Sequence, residues 1–403
     1  MLPRQKHVSQ HEISVEDFIT AVMEEASIPG LAISVIKNNK VVLLDGFGLA
    51  NVEKNEPVKV TTPFNLASIS KPILGISLLR LQDKGFINID NDINEYLPFV
   101  LDNPNLEDEK ITLRHLASHS SGLYDAYDYE AFGHNEESNV NLRDYVEQRL
   151  SIKGNAYGKG YFYDSAQPGT SFRYNNLGAS LAGLALETTS EMSLHAFSNR
   201  EIFEPLGMKN TAWQLNQLMM KDIAVPYELE ACIPYIKICA DESSLTMAYV
   251  LGKLFDPPSE YKTLAAFPHY GFPDYPAGGI RSSIEDLTLL IKAVLNNGNE
   301  KIKLLSDTSY QQMFQLAFPE DVAQGQRFFW QESHGMIGHG GSNPGAFTYA
   351  FFDVETKGAI IILMNRSPDA LTSWALDSII ERISTTDTHS FKTLELFSSL
   401  NSN

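Results

Sequence analysis

Ser68 and Lys71 are the two residues of this sequence whose types and spacing most directly suggest chemistry. Side chains three positions apart share one face of a helix, so this hydroxyl and this amine would be neighbours. A neutral Lys71 can accept the Ser68 proton if burial lowers its pKa from the unperturbed value of about 10.4. The S-x-x-K pattern alone arises by chance about once in a chain of this length. A capping serine followed by a solvated lysine therefore remains an alternative.

The element that must position this pair is an apolar helix. The sequence predicts that Ser68 opens the helix, which lasts to Lys84 and ends at Gly85. Pro72 is compatible with it because this residue falls in the first turn. Free backbone N–H groups and the positive end of the helix dipole favour an oxyanion beside Ser68. Apolar residues on two faces predict that the helix is buried.

Two further motifs follow in order, Tyr174-Asn175-Asn176 and His339-Gly340-Gly341, the second in a glycine-rich turn before an apolar strand. With Ser68 and Lys71 they match the ordered S-x-x-K, S-D-N and K-T-G elements of serine–lysine enzymes. The chain resembles the serine beta-lactamase and penicillin-binding superfamily. Within it, the sequence is most similar to the class C-like branch of esterases, D-amino-acid peptidases and related serine hydrolases.

The resemblance extends over residues 15–385 and includes two flanking stretches, 111–123 and 275–283. The element pattern predicts an α+β fold, in which an antiparallel sheet flanked by helices is built from both chain ends and a mainly helical lobe is inserted between them. The expected organisation is one beta-lactamase-like catalytic domain over residues 15–385 and a frayed tail over 386–403. Its α/β lobe would comprise 15–65 and 278–385, and its helical and loop lobe 66–277.

Individual elements are predicted from caps, turns and periodicity. Ser14 is expected to cap a helix that runs to Ala26, and Asn38-Asn39 is expected to join two strands in a hairpin. Ser282 and Glu285 predict a capping box for a helix that runs to about Leu295. The remaining predicted elements are strands at 30–37, 40–47, 346–353 and 358–365, and a helix at 370–383.

The resemblance implies roles for Tyr174 and Asn176. Tyr174 would be a second proton carrier that reaches the Ser68–Lys71 pair and passes the proton to the leaving group. Asn176 would orient Lys71 and the substrate carbonyl, and Asn175 is the less expected member of this pair. A buried core tyrosine and an ordinary turn asparagine are the alternatives.

The oxyanion hole is expected to consist of backbone N–H groups, because the sequence offers no obvious side-chain donor. By resemblance these are the amides of Ser68 and Ser342. Gly340 and Gly341 would allow the strand to come close to the substrate, with a plain glycine loop as the alternative.

His339 stands where the penicillin-directed pattern has lysine. Histidine is mostly neutral above about pH 6.5, so it would not provide the positive charge that binds the carboxylate of a beta-lactam. Beta-lactam hydrolysis is therefore not expected to be the main activity. A structural histidine on the strand remains an alternative, and His115 and His119 are expected to be structural. Five aromatic residues could line an apolar acyl pocket, or they could belong to the hydrophobic core. They are Tyr124, Tyr157, Tyr161, Tyr163 and Phe172.

Composition excludes several classes of partner. The 50 acidic and 31 basic residues among 403 give a formal charge of −19, which disfavours nucleic acid and anionic membranes. Cys232 and Cys239 form neither a disulfide framework nor a zinc site and are expected to be reduced thiols. The first residues lack the apolar run of a signal peptide, and no 18-residue apolar segment occurs, so a cytoplasmic protein without a membrane span is expected. A periplasmic or secreted protein whose signal has been removed is the alternative.

The predicted function is hydrolysis of small esters or amides through an acyl-enzyme on Ser68, without metal or organic cofactor. The first choice is a carboxylesterase acting on short acyl esters. A D-stereospecific peptidase or amidase and a weak beta-lactamase are the enzymatic alternatives. The non-enzymatic alternative is a catalytically silent binding or sensing protein. The oligomeric state is not predicted.

Overall fold

The computed structural model describes residues 13–106, 110–125, 131–162, 167–231 and 262–385. Four predictions fall on residues outside these ranges: the reduced state of Cys232 and Cys239, the pocket role of Tyr163, the first twelve residues and the tail over 386–403.

The centre of the described chain is one antiparallel sheet of seven strands in the order β10-β11-β12-β13-β1-β2-β3. Strands from the two ends of the sequence meet where β1 pairs with β13, with Leu31 opposite Met364 and Ile36 opposite Ala359. This arrangement confirms the predicted α+β fold with a sheet built from both chain ends. The strands are β1 Gly30–Lys37, β2 Lys40–Asn51, β3 Glu56–Pro57, β10 Gln331–Ser333, β11 Met336–Asn343, β12 Ala346–Asp353 and β13 Gly358–Met364.

The β1–β2 hairpin turns at Asn38 and Asn39, as the sequence predicts. Both residues have positive φ, 49° and 65°, which asparagine tolerates better than most residues and which a two-residue hairpin loop requires. The second strand is longer than predicted, since it continues to Asn51.

Both faces of the sheet are covered, so β1 and β13 are buried along most of their length. Alternate residues point to opposite faces: Leu31 and Ile33 pack with Ile19 and Ile379 of the helices Val15–Glu25 and Ala370–Thr385. Their neighbours face the larger core between the sheet and the remaining helices. Those helices are Ser70–Asp83, Leu113–Ala117, Leu142–Leu150, Asn176–Ser190, Leu194–Ser198, Glu204–Leu206, Ile284–Asn296, Asp307–Phe314 and Glu320–Ala323.

Short strands and turns complete the described part of the chain. Three two-stranded sheets pair β4 with β9, β5 with β8 and β6 with β7. Their bounds are β4 Phe64–Asn65, β5 Gly133–His134, β6 Tyr227–Ala231, β7 Lys262–Ala266, β8 Tyr270–Gly271 and β9 Arg281–Ser282. The predicted division into two lobes is not tested by these bounds and stays a prediction.

The helix that follows Ser68 is buried on two faces, as predicted, but it begins later. Ala67–Ile69 form a 3-10 turn and the α-helix spans Ser70–Asp83. The prediction that Ser68 opens the helix is therefore wrong, since the serine lies within the tighter turn and Ile69 is the N-cap of the α-helix. The helix ends one residue before Lys84, and Gly85 follows with a φ of 80°.

The predicted capping box at Ser282 and Glu285 is also wrong, by one position. Ser282 still belongs to β9, where it pairs with Phe64, so helical backbone starts at Ile284. Ser283 is the N-cap, and its hydroxyl accepts a hydrogen bond from the Asp286 N–H at 3.2 Å. Ser282 instead shares a 2.7 Å hydrogen bond with the Thr211 hydroxyl.

The corrected cap can be tested by measuring unfolding in urea. Ser283→Ala should lower the free energy of unfolding by about 1 kcal/mol, the usual cost of losing an N-cap acceptor. Glu285→Ala is the control, because in the observed geometry its side chain does not cap the helix, and it should change that free energy by less than about 0.5 kcal/mol. The reverse ranking of the two variants would contradict the assignment.

Candidate active site

Ser68 is presented by a turn held between a strand and a helix. The side chain of Asn65, at the end of β4, accepts a 2.8 Å hydrogen bond from the Ala67 N–H, and Ala67 has a φ of 49°. Two residues after Ser68, the buried Ser70 hydroxyl accepts a 3.0 Å hydrogen bond from the Ile280 N–H. These contacts fix both sides of the turn and leave Ser68 half-buried between them.

Lys71 lies one turn after Ser68 and is completely buried, with 0% of its surface exposed. Its Nζ donates to Ser68 Oγ at 3.1 Å, to Asn176 Oδ1 at 2.7 Å and to the Ala277 carbonyl at 2.6 Å. Burial lowers the pKa of Lys71 to about 7, against the opposing influence of the negative charges of Asp125 and Asp274. The amine can therefore change protonation state near neutral pH.

The three acceptors around Lys71 are not equivalent. Asn176 Oδ1 and the Ala277 carbonyl only accept hydrogen bonds, whereas the Ser68 hydroxyl can also donate. When Lys71 is neutral, its two N–H bonds satisfy the two pure acceptors and its lone pair is left facing Ser68 Oγ. This geometry suits removal of the serine proton.

Asn176 is the first residue of the helix Asn176–Ser190, and Asn175 is its N-cap. The Asn175 side chain accepts a hydrogen bond from Gly178 N–H, so this residue shapes the helix start while Asn176 contacts Lys71. The Asn176 Nδ2 donates to Asp125 Oδ2 at 2.8 Å. Sequence reasoning missed Asp125, because it lies 51 residues from Asn176 and no spacing rule connects them.

Tyr174 approaches Lys71 through the face of its ring. Lys71 Nζ lies 4.8 Å from the ring centroid. The same phenol ring lies 4.3 Å from the His119 ring and 6.1 Å from the His339 ring, measured between centroids. The structure thus places Tyr174 beside the predicted base, in a layer of aromatic rings.

His339 and His119 are both buried and neutral. Burial, followed by the Lys71 charge, lowers the pKa of His339 to about 3. Its Nδ1–H donates to the Gly340 carbonyl, because a carbonyl can only accept. Burial, then the charge of Lys71 and then His339, lower the pKa of His119 well below its usual value. The His119 Nδ1 accepts a 3.3 Å hydrogen bond from the Asn175 N–H.

The other predicted residues are distributed differently. His115 belongs to the capping box of the helix Leu113–Ala117 and stacks on Phe318. Among the aromatic residues predicted to line an acyl pocket, Phe172 contacts the His119 ring edge-on at 6.2 Å. Tyr157 instead donates to the Asp102 carbonyl at 3.1 Å. Tyr124 and Tyr161 stack against the guanidinium groups of Arg173 and Arg149.

The edge of β11 faces the Ser68 turn. β10 pairs only with Met336–Gly338, so within the described chain no strand covers this edge from His339 to Asn343. Alternate N–H groups of an antiparallel strand point to each edge, and Ser342 on this stretch is exposed. The Asn343 Nδ2 ties the strand to Asn65 Oδ1 at 3.2 Å.

Gly341 lies where the strand approaches the turn most closely. A Cβ atom there would lie 2.3 Å from Thr348 Oγ1 and 2.4 Å from the Leu66 carbonyl. These two atoms are hydrogen-bonded to each other at 2.8 Å. A Cβ on Gly340 would meet nothing nearer than the Thr348 carbonyl, at 3.8 Å. Only one of the two glycines is therefore required for close packing.

In the ranges that the structure describes, no cluster of three or more histidine, cysteine, aspartate or glutamate side chains could hold a metal ion. No helix within those ranges is long and apolar enough to cross a membrane.

Comparisons with known proteins give a consistent result. The family model described as Beta-lactamase matches residues 15–377. Protein flp of Staphylococcus aureus (strain MRSA252) is 22% identical over 371 residues, and the match covers 92% of this chain and 65% of that protein. The chain therefore spans less than two thirds of the length of this curated relative.

Two solved structures share the fold. D-amino acid amidase from Ochrobactrum anthropi SV3, complexed with D-phenylalanine, has a TM-score of 0.67 at 19% identity and covers 93% of this chain and 99% of its own. EstCE1, a hydrolase with promiscuous acyltransferase activity, has a TM-score of 0.66 at 18% identity and covers 92% and 97%.

The contrast between the two glycines can be tested directly. Gly341→Ala should push β11 away from the Ser68 turn, lower the free energy of unfolding by about 1 to 3 kcal/mol and reduce kcat/KM about 10²-fold through misplacement. Gly340→Ala is the matched control and should stay close to wild type in both measurements. Equal effects of the two substitutions would show that the close approach at Gly341 does not matter.

Proposed function

The chain belongs to the beta-lactamase family, whose fold is that of serine hydrolases, and from this premise we propose that it hydrolyses small esters through an acyl-enzyme on Ser68. The family confirms the resemblance found in the sequence. One observation carries the proposal. The buried Lys71 Nζ donates to Asn176 Oδ1 and to the Ala277 carbonyl, and its third hydrogen-bonding direction points to Ser68 Oγ. We propose that residues 15–385 form one catalytic domain.

In the proposed first half-reaction, the Ser68 proton passes to Lys71 Nζ as Ser68 Oγ attacks the carbonyl carbon. The oxyanion accepts hydrogen bonds from the N–H groups of Ser68 and Ser342, the latter on the uncovered edge of β11. The tetrahedral intermediate then breaks its bond to the leaving group. Lys71 returns the proton through Tyr174 to the leaving oxygen.

The second half-reaction repeats these steps with water as the nucleophile. Water loses a proton to Lys71 as it attacks the acyl carbon, and the Ser68 oxygen is the leaving group that regains a proton. Asn176 keeps Lys71 Nζ in place in both halves through the 2.7 Å hydrogen bond to its Oδ1.

The neutral charge of His339 supports a substrate that is recognised through an ester group and not through a carboxylate. With a pKa of about 3, the imidazole is neutral at ordinary pH and provides no cation where the penicillin-directed pattern has lysine. An amide substrate is the second candidate, supported by the fold shared with D-amino acid amidase. Beta-lactam turnover is expected to be weak.

The acyl-enzyme is tested by covalent labelling. A fluorophosphonate should add one adduct to the wild-type protein, and peptide mapping should place that adduct on Ser68. Ser68→Ala should abolish both labelling and ester turnover while costing about 1 kcal/mol of stability, the value of its hydrogen bond to Lys71.

The matched control for labelling is Ser70→Ala. Ser70 is buried two residues away and bonds to Ile280 N–H, so its loss should reduce stability but leave the adduct on Ser68. Folded wild-type protein that takes up no fluorophosphonate and turns over no ester would favour a silent binding protein.

Substrate class is tested by parallel assays of p-nitrophenyl esters, D- and L-aminoacyl anilides and nitrocefin. Ester turnover should be the fastest in the wild type. His339→Lys should shift the ratio of rates towards nitrocefin, because it adds a cation that a beta-lactam carboxylate can bind. Wild-type nitrocefin turnover as fast as that of any ester would contradict the argument from His339.

A further inference from the structure

Asp125 accepts three hydrogen bonds from the start of one helix. Its Oδ2 receives Asn176 Nδ2 at 2.8 Å and Asn176 N–H at 3.0 Å, and its Oδ1 receives Leu177 N–H at 3.1 Å. Two of these bonds satisfy free N–H groups in the first turn of Asn176–Ser190. The third reaches a side chain that contacts Lys71, which helix capping alone does not require.

The contact to Nδ2 decides which way the Asn176 amide points. An amide has a donor end and an acceptor end, and a carboxylate accepts only from the donor end. With Nδ2 bound to Asp125, Oδ1 must face Lys71 Nζ, where it accepts the 2.7 Å bond. A flipped amide would place its N–H groups against the Lys71 N–H groups and its oxygen against the carboxylate.

We propose that Asp125 is a positioning residue for the hydrolysis, which locks the Asn176 amide so that neutral Lys71 must direct its lone pair to Ser68. This inference rests on the proposed role of Lys71 as the base. Asp125 does not contact the reacting atoms and acts through Asn176.

Asp125 also contributes charge to the surroundings of Lys71. Among the residues that the structure describes, the titratable groups that face Lys71 are Asp125, Asp274, His119, His339 and Tyr174. Both histidines are neutral, so the carboxylates provide the negative charge that opposes the effect of burial on the pKa of the amine. Removal of either carboxylate should therefore lower that pKa and move the acid limb of kcat/KM to lower pH.

Asp274 provides a matched comparison because it faces Lys71 without holding Asn176. Its side chain makes no capping bond to the turn Tyr275–Ala277. Burial, and then the charge of Asp125, raise the pKa of Asp274 to about 6. Asp274→Asn changes the charge near Lys71 but leaves the amide lock intact. It thus separates the two effects that Asp125→Ala combines.

The test measures kcat and KM for an ester across pH in three proteins. Asp125→Ala, which leaves no acceptor for Asn176 Nδ2, should reduce the plateau kcat by up to about 10²-fold, the size of effect that a 1 Å misplacement can have. KM should change little and the acid limb should move to lower pH. Asp274→Asn should move the acid limb in the same direction and keep most of the plateau kcat.

A purely structural role of Asp125 predicts something else. Loss of stability with an unchanged plateau kcat would make Asp125 a helix cap only and would overturn the proposal, whether or not the acid limb moves. Asp144→Asn controls for the general effect of an acid near a helix start, since Asp144 Oδ2 accepts the Asn141 amide at 2.7 Å on an exposed surface. That variant should leave the pH profile unchanged.

Two further variants complete the design. Asn176→Ala keeps both backbone contacts of Asp125, so it should reproduce the loss of plateau kcat even if Asp125→Ala does not fold. Full kcat in Asn176→Ala would overturn the proposal. The two losses should not add in the double variant. If Lys71→Ala retains activity, the proposed function itself is wrong. If Lys71→Ala is inactive and Asp125→Ala keeps the wild-type plateau kcat, only the positioning role of Asp125 is wrong.

Discussion

The constraint on which the site depends is the complete burial of the Lys71 amine. A buried amine must find acceptors or lose its charge, and the chain meets both conditions at once. Asn176 from one helix, Ala277 from a 3-10 turn and Ser68 from another supply three acceptors, while the surroundings bring the pKa to about 7. Moving any one of these three segments would alter the hydrogen bonds and the protonation of the lysine together.

The sequence predicts those parts of the site that are local or that belong to ordered motifs. Ser68 and Lys71 are one helical turn apart, so their contact follows from spacing. Asp125 and the Ala277 carbonyl could not be predicted in this way. The first lies 51 residues from its partner Asn176, and the second is a backbone group whose direction depends on a turn.

The errors at helix starts have a common physical cause. Ser282 is an acceptable N-cap by residue type, but it pairs with Phe64 and so still belongs to β9. The N-cap is therefore Ser283. Ser68 has the composition of a helix start, yet the positive φ of Ala67 and its bond to Asn65 tighten the chain into a 3-10 turn. In both places tertiary contacts override local preference. The sheet was easier to predict, because its long apolar strands permit few other arrangements.

The pairing of β1 with β13 has a consequence for the order of events during synthesis. Leu31 emerges from the ribosome more than 300 residues before its partner Met364. The apolar strand β1 therefore cannot pair with β13 until most of the chain has been synthesised. Contacts of such sequence separation are slow to form. The strand edge beside Ser68 also comes from residues 336–343. A nascent chain that already carries both the serine and the lysine therefore lacks the strand edge beside them until β11 has been made.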